Sequence, residues 1–295
     1  MNKTIKNNSF FLILLAAILG SGVGVLAKIG LREIQPITFT FLRFVAALII
    51  LIPFFYSQRQ KLSISDFKKL FLVSLFGAGN IFIFIYGIRL TNASASQVIY
   101  TLSPLITGIL SYFFFGEKLG SRKIWGVIIG FIGTLFVVLL PVLTGRSGIN
   151  GSIGGNLLIL LAVCSHSFYS MLSKEKQKEF SPITMTMYFV ITTFLISAIL
   201  LPFSHPALFQ LPSAGAILSV LYAGLLGTGG FYLIYQYAIK HSSAVVASTV
   251  LYLEPIFTFI WAAGLLGEKL TVGLIIGTAL VFVGVYLAST KNKIK

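Results

Sequence analysis

Apolar stretches of about 18 residues or more recur along the whole chain, and no other feature narrows the possible folds so sharply. They fall at about residues 10–28, 37–56, 67–88, 94–115, 122–141, 154–174, 183–202, 214–238, 243–266 and 271–289. Each approaches the length at which a helix rising 1.5 Å per residue crosses about 30 Å of hydrocarbon. A membrane β-strand would need only about 10 residues of alternating pattern. The spacing therefore predicts ten transmembrane helices. Charged residues are 10% of the 295, against about 25% in soluble domains. That leaves too few polar groups to cover a water-exposed surface, which excludes a soluble enzyme. The connections, among them Ser57 to Asp66, Gly120 to Lys123, Thr144 to Gly155 and Ser204 to Ser213, are short and polar. None has room for a soluble domain.

Lysine and arginine exceed aspartate and glutamate by 22 to 7. No basic run with interleaved aromatics stands outside the loops, so nucleic acid is not an expected partner. The excess has the pattern of a membrane protein whose cytoplasmic loops collect positive charge. With the N-terminus inside, 16 basic residues, including Lys68, Lys69, Lys174 and Lys240, fall on the cytoplasmic side. Five (Lys28, Arg32, Arg89, Arg146 and Lys269) fall on the other, and Arg43 remains inside a span. An even number of crossings then puts both termini in the cytoplasm, with the bilayer that of the cytoplasmic (inner) membrane. The first span has a competing reading as a signal peptide, since Lys3 and Lys6 precede it and Val25-Leu26-Ala27 resembles a cleavage site. The lone cysteine, Cys164, lies within a span and excludes an intrachain disulfide.

The chain repeats itself. Leu12-Ile13-Leu14-Leu15-Ala16 recurs as Leu158-Ile159-Leu160-Leu161-Ala162, and at the same offset of 146 Lys28 matches Lys174, Glu33 matches Glu179, and Pro36-Ile37-Thr38 matches Pro182-Ile183-Thr184. The offset then becomes 151, pairing Tyr86 with Tyr237, Pro104 with Pro255, Gly116-Glu117-Lys118-Leu119 with Gly267-Glu268-Lys269-Leu270, and Gly126 and Gly133 with Gly277 and Gly284. The expected units are residues 1–145 and 146–295, with five spans in each. An odd number of crossings inserts the second copy upside down, and inverted repeats are a device of secondary transporters. The expectation is an all-α membrane protein of ten transmembrane helices, arranged as two inverted five-helix repeats around a central cavity.

Pro36 and Arg43 at the second span, the Leu102-Ser103-Pro104 and Leu253-Glu254-Pro255 elements, and both Gly-Glu-Lys-Leu motifs give the chain its likeness to a known group. In these features and their order it resembles the EamA family of the drug/metabolite transporter superfamily. The resemblance implies a ten-helix transporter of small organic metabolites, often an exporter of amino acids in bacteria, with a cavity lined by helices from both halves. The Glu-Pro pair occurs in the family irrespective of cargo, which implies a shared mechanical role for Glu254.

Binding sites in such proteins lie near the bilayer midplane, where broken helices free backbone groups. Pro104 and Pro255 are the expected helix breaks, since each removes the hydrogen bond to the carbonyl four residues earlier, at Tyr100 and Leu251. The competing reading is a kink resolved by neighbouring helices. Glu254 is the sole carboxylate deep inside a span, where a charge costs several kcal/mol unless it meets a cavity or a partner. It could bind a substrate ammonium, carry a proton, or serve as a structural hydrogen-bonding group. Arg43 could snorkel to the headgroups or meet an anionic substrate group. His166, with Ser170 and Ser173 on its face, could relay protons or rest in a satisfied core. As a lone histidine it makes no metal site. Tyr100, Asn80, Gln97, Ser103, Gln236, Tyr232, Tyr252 and Trp261 complete the candidate cavity lining, against roles in helix packing or interfacial belts. The glycines of the first, third and eighth spans suit close packing or hinging. They make no phosphate loop, having neither a preceding strand nor a P-loop lysine.

No nucleotide-binding motif is present and no cofactor is expected. The function expected is secondary transport of a small-molecule substrate by alternating access, energised by a gradient. A passive channel and an intramembrane enzyme are the competing classes. The enzyme would require clustered acids or a nucleophile pair at reachable depth.

Overall fold

The computed structural model describes residues 3–58, 60–116, 121–143, 152–204, 212–241, 250–269 and 271–289, and among them every regular element is helical. In chain order these are α1 (Lys3–Gly30), α2 (Pro36–Ser57), α3 (Ile64–Leu90), α4 (Ala93–Tyr100), α5 (Ser103–Phe115), α6 (Ser121–Leu143), α7 (Ile153–Lys176), α8 (Pro182–Leu200) with a 3₁₀ turn (Leu201–Phe203), α9 (Ala214–Leu221), a π-helical segment (Tyr222–Gly230), α10 (Phe231–His241), α11 (Val250–Leu266) and α12 (Val272–Ser289). Among the described residues six stretches are long and apolar enough to cross a membrane: Pro36–Ser57, Ile64–Leu90, Ala93–Phe115, Ile153–Lys176, Pro182–Phe203 and Ala214–His241. The described apolar parts of α1, α6, α11 and α12 are shorter. The first part of the stretch expected at 243–266 lies outside the described residues.

Local chemistry sets the helix ends. Pro36 and Pro182 open α2 and α8, where the missing amide costs nothing. Ser152, Ser181 and Ser213 accept from the third amide of α7, α8 and α9, and Ser63 forms a full capping box with Asp66 at α3. The two Gly-Glu-Lys-Leu motifs begin with Gly116 and Gly267, the residues with positive φ among those described, at 67° and 66°. Both stand just past the ends of α5 and α11, where a left-handed residue stops a helix and any side chain would strain the turn.

The polarity of the bundle is that of a body solvated by lipid. Large apolar side chains such as Ile49, Phe113, Trp125, Ile199 and Ile260 point outward, whereas Thr184, Thr186, Thr193 and Ser197 of α8 are buried. Their hydroxyls are satisfied locally: Thr186, Thr193 and Ser197 donate to carbonyls three or four residues back. Small residues let backbones approach. At the crossing of α6 and α12, a Cβ on Gly133 would stand 2.7 Å from the amide of Val281, and one on Gly284 would stand 2.4 Å from that of Gly130. Without a hydrophobic drive between helices in lipid, such close contact is the main source of their attraction.

The remaining packing brings α3 against α7 and α8, α1 against α11 and the π segment, and α2 against α8 and the π segment. One end of the bundle is tied by Glu268, whose carboxylate accepts from the amides of Ala93 and Ser94 at 2.9 and 3.1 Å and from Ser94 Oγ at 2.7 Å. This caps the start of α4 from the loop after α11. At the same end Lys28 donates to the carbonyl of Thr91, and Glu33 accepts from Ser213. The opposite end is tied by Lys174 to the carbonyl of Ile239, by Lys69 to Glu179 and by Gln60 to Ser181.

Candidate functional site

Two stretches interrupt the regular α-helical winding of the bundle. In the first, α4 ends at Tyr100 and α5 begins at Ser103, with Pro104 in its first turn. Pro104 has no amide for the carbonyl of Tyr100. The chain tightens instead: the amide of Thr101 donates to Val98 and that of Leu102 to Ile99, both i to i−3 bonds. In the second, the glycine-rich run Tyr222–Gly230 winds as a π helix. Thr228 Oγ1 donates to the carbonyl of Ala223 five residues back at 2.7 Å. Gly224 lies so close to α2 that an added Cβ would stand 2.5 Å from the carbonyl oxygen of Arg43.

These two irregularities border a cavity inside the bundle. It is lined by Gly20 and Val23 of α1, Arg43 of α2, Asn80, Ile81 and Phe84 of α3, Gln97 and Tyr100 of α4, and His166 of α7. Gly227 of the π segment, Phe231 and Tyr232 of α10, and Leu251 and Glu254 of α11 complete the wall. Arg43 is 2% exposed; its Nε donates to Thr228 Oγ1 at 2.6 Å and to the carbonyl of Ala223 at 3.2 Å. The π turn thus supplies both partners of the buried guanidinium. Asn80 donates to Tyr100 Oη at 2.6 Å and accepts from Tyr232 Oη at 3.3 Å, so one amide joins two tyrosines across the cavity. His166 is ringed by Tyr235, Tyr100, Tyr169 and Tyr232, with centroids 5.4 to 6.5 Å away. Gln97 lies beside the Glu254 carboxylate.

Among the described residues, four buried polar atoms of this wall lack a hydrogen-bond partner within the protein: Arg43 Nη1, Gln97 Oε1, His166 Nε2 and Glu254 Oε1. Leaving such atoms unmatched costs about 1 to 3 kcal/mol each, and more where charged. All four belong to residues that line the one cavity. No group of three or more His, Cys, Asp or Glu suited to a metal occurs among the described residues.

A profile of the EamA-like transporter family matches the sequence twice, over residues 7–139 and 153–290. The chain belongs to the EamA-like transporter family. Relatives include an uncharacterized transporter of Bacillus subtilis, YoaV, 27% identical over 88% of this chain and 89% of its own length. An uncharacterized transporter of Archaeoglobus fulgidus is 26% identical over 97% of this chain and 99% of its own. One crystal structure matches the fold with a TM-score of 0.71 over 96% of each chain, at 19% identity. As an EamA-like protein with membrane-length apolar helices, the chain is an integral membrane protein whose general function is transport.

Of the residues singled out from the sequence, Glu254, His166, Arg43, Tyr100, Asn80, Gln97 and Tyr232 line the cavity of this EamA-like fold. Four do not. Ser103 exchanges hydrogen bonds with Ser167 inside an α5–α7 contact. Gln236 is spent on Tyr169, Ser173 and Gln177. Trp261 is 41% exposed on the outer surface. Pro255 lies inside an uninterrupted α11 and makes no break there, in contrast to Pro104. The side chain of Tyr252 lies outside the described residues, as do Glu117, Lys118 and Leu119 of the first Gly-Glu-Lys-Leu motif. Ser170 and Ser173, on the face of His166, turn to Tyr235 and Gln236. Sequence reasoning missed Val23, Ile81, Phe84 and Phe231, apolar residues indistinguishable from core by composition, and named Leu251 for its carbonyl alone. It read Gly20 and Gly227 as packing residues without placing them at a cavity.

Proposed function

We propose that this protein is a secondary transporter of small organic metabolites, with amino acids or related compounds as cargo, working mainly in export. It spans the cytoplasmic membrane ten times as two inverted five-helix repeats, residues 1–145 and 146–295, with both termini in the cytoplasm. Transport proceeds by alternating access, as the two bundles rock about the central cavity. The observation that carries this reading is the cavity itself, with four unmatched polar atoms contributed by α2, α4, α7 and α11.

Two further features support it. The α6–α12 glycine contact is reciprocal: Gly284 faces Gly126 and Gly130, and Gly133 faces Gly277 and Val281. Adding 151 to 126 gives 277 and to 133 gives 284, so the offset exchanges one contact for the other, as a two-fold relation between antiparallel copies would. The charges also agree with the assigned orientation, since the bundle end holding Lys69, Lys174 and Lys240 is the richer in lysine.

The test is counterflow in proteoliposomes containing the full chain and preloaded with a panel of unlabelled metabolites, amino acids foremost. Accelerated entry of labelled solute is expected. Conductance without counterflow would mean a pore, and neither would overturn the transport reading. Tags placing the two termini on different faces would overturn the topology.

A further inference from the structure

Arg43 and Glu254 line the same cavity, each almost wholly buried at 2% and 4% exposure, yet they do not pair with each other. The ion pairs among the described residues join Lys69, Lys176 and Lys178 to Asp66, Glu179 and Glu175 at the surface. Opposite charges that share a pocket of low polarity attract strongly, so holding them apart requires other partners. Those partners are visible. Arg43 is held by its Nε through Thr228 Oγ1 and the Ala223 carbonyl, which leaves Nη1 unmatched. Glu254 has Gln97 beside it and lies against α1, where a Cβ on Gly20 would stand 2.3 Å from Oε1, the oxygen left unmatched. Tyr100 and Tyr232, tied through Asn80, line the same cavity.

We propose that the cavity recognises its cargo as a zwitterion, the carboxylate on Arg43 Nη1 and the ammonium on Glu254 Oε1, with an apolar side chain against Phe84, Phe231 and Leu251. The proposal rests on the transport reading above and deepens it by assigning which groups of the cargo are read. A guanidinium already anchored at Nε presents its remaining donors in a fixed plane, which suits a carboxylate better than a mobile ammonium would. A cargo with both charges matches two unpaired buried atoms at once, whereas one with a single charge leaves the other stranded. A site built for two polar groups discriminates steeply against analogues lacking one of them.

The experiment is counterflow of labelled leucine and phenylalanine into proteoliposomes of the full chain. The competitors are leucine, leucine methyl ester, which lacks the carboxylate, and N-acetyl-leucine, which lacks the ammonium. In the parent protein each analogue should compete at least about ten-fold more weakly than leucine, the cost of one lost charge-assisted hydrogen bond. Arg43→Gln should erase the penalty on the ester and keep that on the N-acetyl compound, and Glu254→Gln should do the reverse. The analogue series on the parent protein needs no variant, so a poorly folding variant leaves the test intact. Equal competition by all three compounds would overturn the proposal, as would variants that shift both penalties alike. Counterflow of singly charged or neutral metabolites but of no amino acid would overturn it while leaving the transport reading standing. Counterflow of nothing would remove both.

Discussion

Gly133 and Gly284 stand 151 residues apart, and that offset exchanges their contacts: Gly133 presses on Gly277 and Val281, Gly284 on Gly126 and Gly130. A methyl group at either position would meet backbone atoms at 2.7 and 2.4 Å, closer than real contacts allow, and backbone cannot swing aside. Gly133→Ala and Gly284→Ala are each expected to destabilise the purified protein by about 1 to 3 kcal/mol, through overpacking. Gly108→Ala and Gly264→Ala, at helical positions with nothing within 4 Å, serve as controls and should not lower stability. Thermal unfolding in one detergent, followed by tryptophan fluorescence, reads the four side by side.

Lys28 and Lys174, matched at an offset of 146, donate to carbonyls at the C-terminal ends of α3 and α10 respectively. A cation there neutralises the negative end of the helix dipole. Replacing either lysine by methionine keeps the apolar stem and removes the charge. A loss of about 1 kcal/mol is expected from each, largely restored by arginine. Equal melting temperatures for Lys28→Met and the parent would show that the carbonyl of Thr91 is satisfied without the lysine.

Thr228 serves two masters, accepting from Arg43 Nε and donating to Ala223. Thr228→Val preserves shape but withdraws the hydroxyl, and it should cost about 1 to 3 kcal/mol because a buried charged donor loses a partner. Thr228→Ser should retain most of the stability. The comparison of the two in thermal unfolding separates the hydroxyl from the methyl.

Gly20 is where Glu254 meets α1. Gly20→Ala places a methyl 2.3 Å from Oε1 and 3.1 Å from the Phe231 ring, so the carboxylate must move. Counterflow is expected to fall by about ten-fold or more. Adding Glu254→Asp, which withdraws the carboxylate by one methylene, should recover part of the loss. A double variant no better than Gly20→Ala alone would show that the defect lies in helix packing instead.

Glu33, in the loop after α1, accepts from the amide of Ser213 at 2.7 Å and from its hydroxyl at 2.6 Å, and these bonds hold its carboxyl below the ordinary carboxylate range. A carboxylate whose folded pKa is depressed adds stability above its unfolded value and loses it as the pH falls through the folded one. Glu33→Gln should therefore melt below the parent at neutral pH. The gap should close as the pH drops below about 4. A gap independent of pH would mean that the bond does not depend on charge.

Much of this was legible in the sequence because it depends on sums along the chain. The helix starts at Pro36 and Pro182 and the stops at Gly116 and Gly267 follow from local geometry, and they appear where the residues predict. Seven cavity residues could be named in advance because a polar side chain inside an apolar run has few places to go. Local signals failed where they are degenerate. Pro104 and Pro255 look alike in sequence, yet α4 ends ahead of the first while α11 runs through the second. The outcome depends on what neighbouring helices offer the freed carbonyl. Ser103 and Gln236 looked like lining residues but found partners in Ser167 and Tyr169. The glycine cluster around Gly227 signalled close approach and gave no hint of π winding.

From residue order alone came the solvent, the helices, their doubling and the list of polar residues buried in apolar runs, since hydropathy and repeat offsets need no knowledge of contacts. Only the tertiary structure decided which of those residues face one another. Facing depends on how each helix is rotated and where it crosses its neighbours. The π turn at Tyr222–Gly230 packs more residues into a turn than an α helix does, and so rotates the faces of α10 relative to those of α9. In the same way α2 and α11 bring Arg43 and Glu254, 211 positions apart by subtraction, to one cavity, whereas Trp261, about two turns beyond Glu254 along the same α11, is left 41% exposed.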